Sequence, residues 1–87
     1  MNDMKDRIDE MLDALKQERD ELKVKLELAR MNAGDEWEKL EVQLEKLEAK
    51  AKELGGVAAD ASQDIGAAAK LLGEEIANGF KEIRKHL

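Results

Sequence analysis

The sequence predicts an all-α fold. We expect a long helix followed by a shorter antiparallel one, a helical hairpin that associates as a coiled coil or helical bundle. Three observations carry that reading. Apolar residues recur at steps of three and four along most of the chain, which places them on one face of a helix. The 87 residues include no Pro, no Tyr, one Trp and one Phe, and 41% are charged, the composition of long helices rather than of a sheet. Paired glycines, Gly55-Gly56, interrupt the pattern. High charge with few aromatics also describes unfolded chains, and the regular apolar spacing decides against that.

The first helix is expected over about residues 2–54. Its seam is Met4, Ile8, Met11, Leu15, Leu22, Leu26, Ala29, Ala33, Trp37, Leu40, Leu44, Leu47, Ala51 and Leu54. Glu18 and Arg19 interrupt this face once, and a charge there is suited to selecting register. Charges beside the seam pair at i,i+4 in the favourable order, as in Glu21/Lys25 and Glu48/Lys52. Asn32-Ala33-Gly34-Asp35 is a softer break: Gly34 can end a helix, and Asp35 with Glu38 can form a capping box. Yet Ala29, Ala33 and Trp37 keep the apolar face in phase across it, so the spacing favours one helix, bent at most.

Gly55-Gly56 reads as a stop, because glycine takes the left-handed conformation after a helix end at little cost. The second helix is expected over about 58–86. Asp60, Ser62 or Asp64 would favour its start, and Lys81, Arg84, Lys85 and His86 suit its C-terminal dipole. Its seam is Ala58, Ala61, Ile65, Ala68, Leu72, Ile76, Phe80, Ile83 and Leu87. Folding back at the glycines sets Leu54 against Ala58, Leu47 against Ile65, Leu40 against Leu72, Trp37 against Ile76, Ala33 against Phe80 and Ala29 against Ile83. Large then meets small at several layers. The consecutive four-residue steps at Ala29-Ala33-Trp37 and at Leu72-Ile76-Phe80 come together, as two facing helices require. Glu27/Lys85 and Arg30/Glu82 also fall opposite one another. A continuous helix through the glycines would keep phase too, at a cost of about 2 kcal/mol relative to alanine.

Two surfaces remain over in this pairing. Residues 2–25 project beyond the hairpin, leaving Met4, Ile8, Met11, Leu15 and Leu22 bare. Beside the main seam of the second helix runs a stripe of small residues: Ala59, Ser62, Gly66, Ala69, Gly73 and Ala77. Glycine weakens a helix interior, and close approach of another backbone is a reason to keep it. Both surfaces are expected to bind further copies of the chain.

The lines Glu-Leu-Lys-Val-Lys-Leu-Glu-Leu-Ala-Arg (21–30), Asp-Glu-Trp-Glu-Lys-Leu-Glu (35–41) and Asp-Ile-Gly-Ala-Ala-Ala-Lys-Leu-Leu (64–72) resemble small bacterial coiled-coil proteins of no assigned activity. The likeness runs from Glu21 to Leu87 and implies helix association, not chemistry. The Ala/Lys/Glu repetition is also similar to late-embryogenesis-abundant and apolipoprotein-type helices.

Residue chemistry excludes several functions. With a single His and no Cys, neither a transition-metal site nor a catalytic triad can be assembled by familiar spacing. Gly55-Gly56 lacks the Lys-Ser/Thr that completes a phosphate loop. No catalytic, cofactor-binding or metal-binding residue is expected, and Trp37 belongs to the seam. The net charge of −6 argues against nucleic acid. No apolar run approaches a membrane span, and the start does not read as a signal peptide, so the expected location is the cytoplasm. The expectation is a single helical domain over 1–87, structural or adaptor in role, acting by homo-oligomerisation. Two other readings are an amphipathic helix that binds a membrane or apolar granule reversibly, and a regulator holding a partner protein through its methionine-bearing N-terminal helix.

Overall fold

The computed structural model describes residues 3–31 and 34–87, apart from the side chains of Asp3 and Ala59. The seam position Ala33 and the Ala59 side chain of the small stripe therefore lie outside the described residues. The described chain contains three helices and no strand: α1 (Asp3–Leu28), α2 (Gly34–Leu54) and α3 (Ala59–Lys85). All three pack on one another, in a body measuring 46 × 20 × 16 Å.

The single helix expected over 2–54 is two helices. α1 ends in a Schellman motif. The Met31 N–H donates to the Leu26 carbonyl at 2.9 Å and the Arg30 N–H to the Glu27 carbonyl at 3.1 Å, which satisfies carbonyls the last turn would leave open. The residue that turns the chain is Arg30, at φ 56°, where glycine is the usual occupant. Gly34 opens α2 at φ 51°, and Asp35 and Glu36 stand in its first turn, where the dipole favours acids. The break prevails over the unbroken apolar phase because it lets α1 fold back and bury its face. Ile8, Leu12, Leu15, Leu22 and Leu26 are all buried, each stabilising the fold by roughly 1.5–3 kcal/mol.

α2 ends at Leu54, just before Gly55-Gly56, without the left-handed glycine that the spacing suggested. Neither glycine takes a positive φ. α2 tightens instead, with the Gly55 N–H donating to the Lys52 carbonyl and the Gly56 N–H to that of Glu53, the i→i+3 pattern common at helix ends. α3 begins after Ala58, whose extended backbone makes no side-chain cap, with Asp60 in its first turn and Arg84 and Lys85 in its last.

Contacts give the running directions. Trp37, early in α2, stacks obliquely on Phe80, late in α3, with ring centroids 5.8 Å apart. Lys5 of α1 reaches Gly55 just past α2, and Lys16 of α1 pairs with Glu48 of α2 at 3.3 Å. Met4 lies on Gly66, Met11 on Gly73, and Arg84 donates to Glu18. α2 thus runs against both α1 and α3, which run alongside each other. The core between them includes Leu22, Leu47, Leu54, Ile76 and Phe80.

Candidate interaction surfaces

The faces expected to bind other copies meet within one chain. Projecting residues 2–25 would have been bare, whereas Ile8, Leu15 and Leu22 are buried here and Met4 and Met11 are partly so. The small-residue stripe supplies the seat. Ser62, Gly66, Ala69 and Gly73 are buried and Ala77 is half-buried. Met4 and Met11 stand seven residues apart, as do Gly66 and Gly73, so each methionine drops onto a glycine. A Cβ on Gly66 would come 2.5 Å from Met4 Cγ, and one on Gly73 would overlap the end of Met11. The glycines are therefore explained by close approach of side chains from α1.

The seam of the second helix is displaced accordingly. Ile76, Phe80 and Ile83 are buried, but Ile65, Ala68 and Leu72 are half-buried and Ala58, Ala61 and Leu87 are exposed. On the first helix Ala29 is exposed and Trp37 half-buried, while Leu26, Leu40, Leu44, Leu47, Ala51 and Leu54 are buried. Trp37 meets Phe80, one turn beyond the Ile76 assigned to it by two-helix pairing. A helix with two neighbours presents a broader face than a two-helix seam, which turns α3 toward α1. The same breadth explains Leu12, buried and absent from the sequence seam. Its signal was present: Ile8-Leu12-Leu15 steps as regularly as Ile8-Met11-Leu15, and α1 uses both.

Charges pair differently as well. Glu18 accepts from Arg84, tying the interrupted point of the α1 face to the last turn of α3. Lys85 turns to Glu82 in its own helix at 3.2 Å. Among the described residues neither Glu27–Lys85 nor Arg30–Glu82 is paired.

Exposed large apolar side chains occur on all three helices, among them Val42 and Leu71 as well as three near the break. Val24 is 53% exposed, Leu28 80% and Met31 40%. Val24 and Leu28 stand one turn apart on α1, and Met31 follows its cap. At the break an open depression of about 420 Å³ is lined by Leu26, Met31, Gly34 and Trp37 with acidic and basic neighbours. Trp37 Nε1 donates to Glu41 Oε1 at 2.9 Å, which satisfies the indole's polar edge. Among the described residues no cluster of three or more His, Asp or Glu side chains could hold a metal ion, and no helix is long and apolar enough to cross a membrane.

The described residues form a small three-helix assembly with apolar side chains and charges on its surface. Comparison with protein-family models, curated proteins and solved structures returned no match.

Proposed function

We propose that this protein is a non-catalytic structural or adaptor module that acts by homo-oligomerisation through helix–helix packing. One observation carries the reading. Val24 and Leu28, one turn apart near the end of α1, are 53% and 80% exposed among the described residues, and exposed apolar side chains set together favour contact with another apolar surface. In this reading α2 and α3 form a hairpin, α1 closes it, and the exposed Val24 and Leu28 are where copies meet.

Light scattering after size exclusion tests it. The wild-type mass is expected to rise above one chain with concentration, and Leu28→Glu to return it toward one chain without loss of helicity by circular dichroism. A mass of one chain across the whole concentration range would remove the reading. The lipid-surface alternative relies on the apolar face of α3, and Ile76, Phe80 and Ile83 are packed in the core. The partner-protein alternative relies on the α1 face, which is likewise covered. Either one requires the bundle to open first.

A further inference from the structure

α1 is held by contacts that any copy of the chain can supply, through a connection that carries backbone strain. We infer that two copies exchange α1: each α1 packs on α2 and α3 of the other molecule, and residues 29–34 straighten so that α1 and α2 run on as one helix. The inference rests on the self-association proposed above and specifies its route.

Two observations converge on it. The first is the connection itself. Arg30 sits at φ 56°, a left-handed conformation that non-glycine residues adopt at a cost. Joining a continuous helix would release Arg30 from it. The second is the phase of the sequence. Ala29, Ala33 and Trp37 follow one another at helical spacing, so a straightened connection keeps Leu22 and Leu26 on the same face as Leu40 and Leu44. Such a helix over 3–54 would be about 78 Å long, which carries α1 away from its own α3 and onto a neighbour's.

The occupant of the vacated seat is a second copy because the seat is keyed to α1. Two methionines match two glycines in spacing, Glu18 matches Arg84, and Lys16 matches Glu48. Exchange re-forms each of these contacts between molecules. The balance between closed chain and exchanged pair is then set by the connection and by concentration.

Cysteine pairs in this Cys-free chain distinguish the routes. Met4→Cys with Gly66→Cys joins α1 to α3, since Met4 Cγ lies 2.5 Å from where a Cβ on residue 66 would stand, within reach of a disulfide. The dimer fraction from size exclusion is oxidised and run on a non-reducing denaturing gel. Exchange yields covalent dimers from that fraction and covalent monomers from the monomer fraction. Arg30→Gly favours the closed connection and should weaken dimerisation, about tenfold for each of the two connections. Gly34→Ala penalises the closed connection and favours helix, so it should strengthen dimerisation by a similar factor. Met11→Cys with Gly73→Cys, where Met11 Cγ lies 3.4 Å from the added Cβ, serves if the first pair lowers helicity. A dimer fraction that yields only covalent monomers overturns exchange and leaves self-association standing. Arg30→Gly and Gly34→Ala shifting the dimer fraction in one direction, or not at all, also overturns it. A mass of one chain at every concentration, Gly34→Ala included, overturns both readings.

Discussion

At the scale of single residues, Arg30 and the helical glycines show how little of a position's role follows from its type. Arg30 holds a left-handed backbone that costs an L-residue about 1–2 kcal/mol. Arg30→Gly should therefore raise the unfolding free energy of the monomer by about 1 kcal/mol, read from urea titration at low protein concentration. An unchanged or lower midpoint would mean that Arg30 makes compensating contacts. Glycine to alanine within α3 has two opposed parts: alanine favours the helix by about 1 kcal/mol, and its methyl group meets whatever packs there. At Gly73 it meets the flexible end of Met11, which can move aside, so Gly73→Ala should be close to neutral. At Gly79 it meets the branched end of Leu40, with Leu40 Cγ only 3.2 Å away, and Leu40 belongs to the core. Gly79→Ala should cost about 1–3 kcal/mol. The reverse order in thermal unfolding would count against this packing of α3.

At the scale of elements, α1 carries the greatest consequence. Its face was legible as a continuous stripe, and Met4, Ile8, Met11, Leu15 and Leu22 were read as interfacial. In the structure they pack on α2 and α3 of the same chain, which the spacing could not register, because the phase through Ala29-Ala33-Trp37 is the same whether the helix continues or folds back. Glu18 marked a register point in the sequence, but its match, Arg84, depends on α1 lying alongside α3. Leu22 separates the two arrangements in a monomer. It is 1% exposed, so Leu22→Ala should destabilise the chain by about 2–5 kcal/mol in chemical unfolding followed by circular dichroism. A projecting α1 would leave Leu22 in water, and the same substitution would then cost well under 1 kcal/mol.

At the scale of the whole molecule, a chain this short has a small core to stabilise it. All three helices contribute to that core, so none is dispensable. Without residues 1–31, the buried Ala69 and Gly73 and part of the surface around Ile76 would face water. That truncated chain should melt broadly, without a cooperative transition, when ellipticity is followed with temperature. A sharp transition at the full-length midpoint would show that α1 adds nothing to the fold. Trp37 offers a second reading of the same event, since its ring lies against Phe80 and its emission should shift to longer wavelength when the packing is lost.

The sequence by itself determined that the chain is helical, where its apolar faces lie, and that Gly55-Gly56 ends a helix, because apolar spacing and backbone propensity are local properties. It also marked Gly34 as a point of weakness and Gly66 and Gly73 as places of close approach. The tertiary structure alone decided that the chain breaks after Leu28 and that α1 occupies the glycine stripe of its own chain. It also decided that Arg30, rather than either paired glycine, adopts the left-handed turn. Those outcomes depend on the apolar area gained when α1 folds back, weighed against one strained residue, and periodicity along a single helix cannot register a gain that exists only between helices.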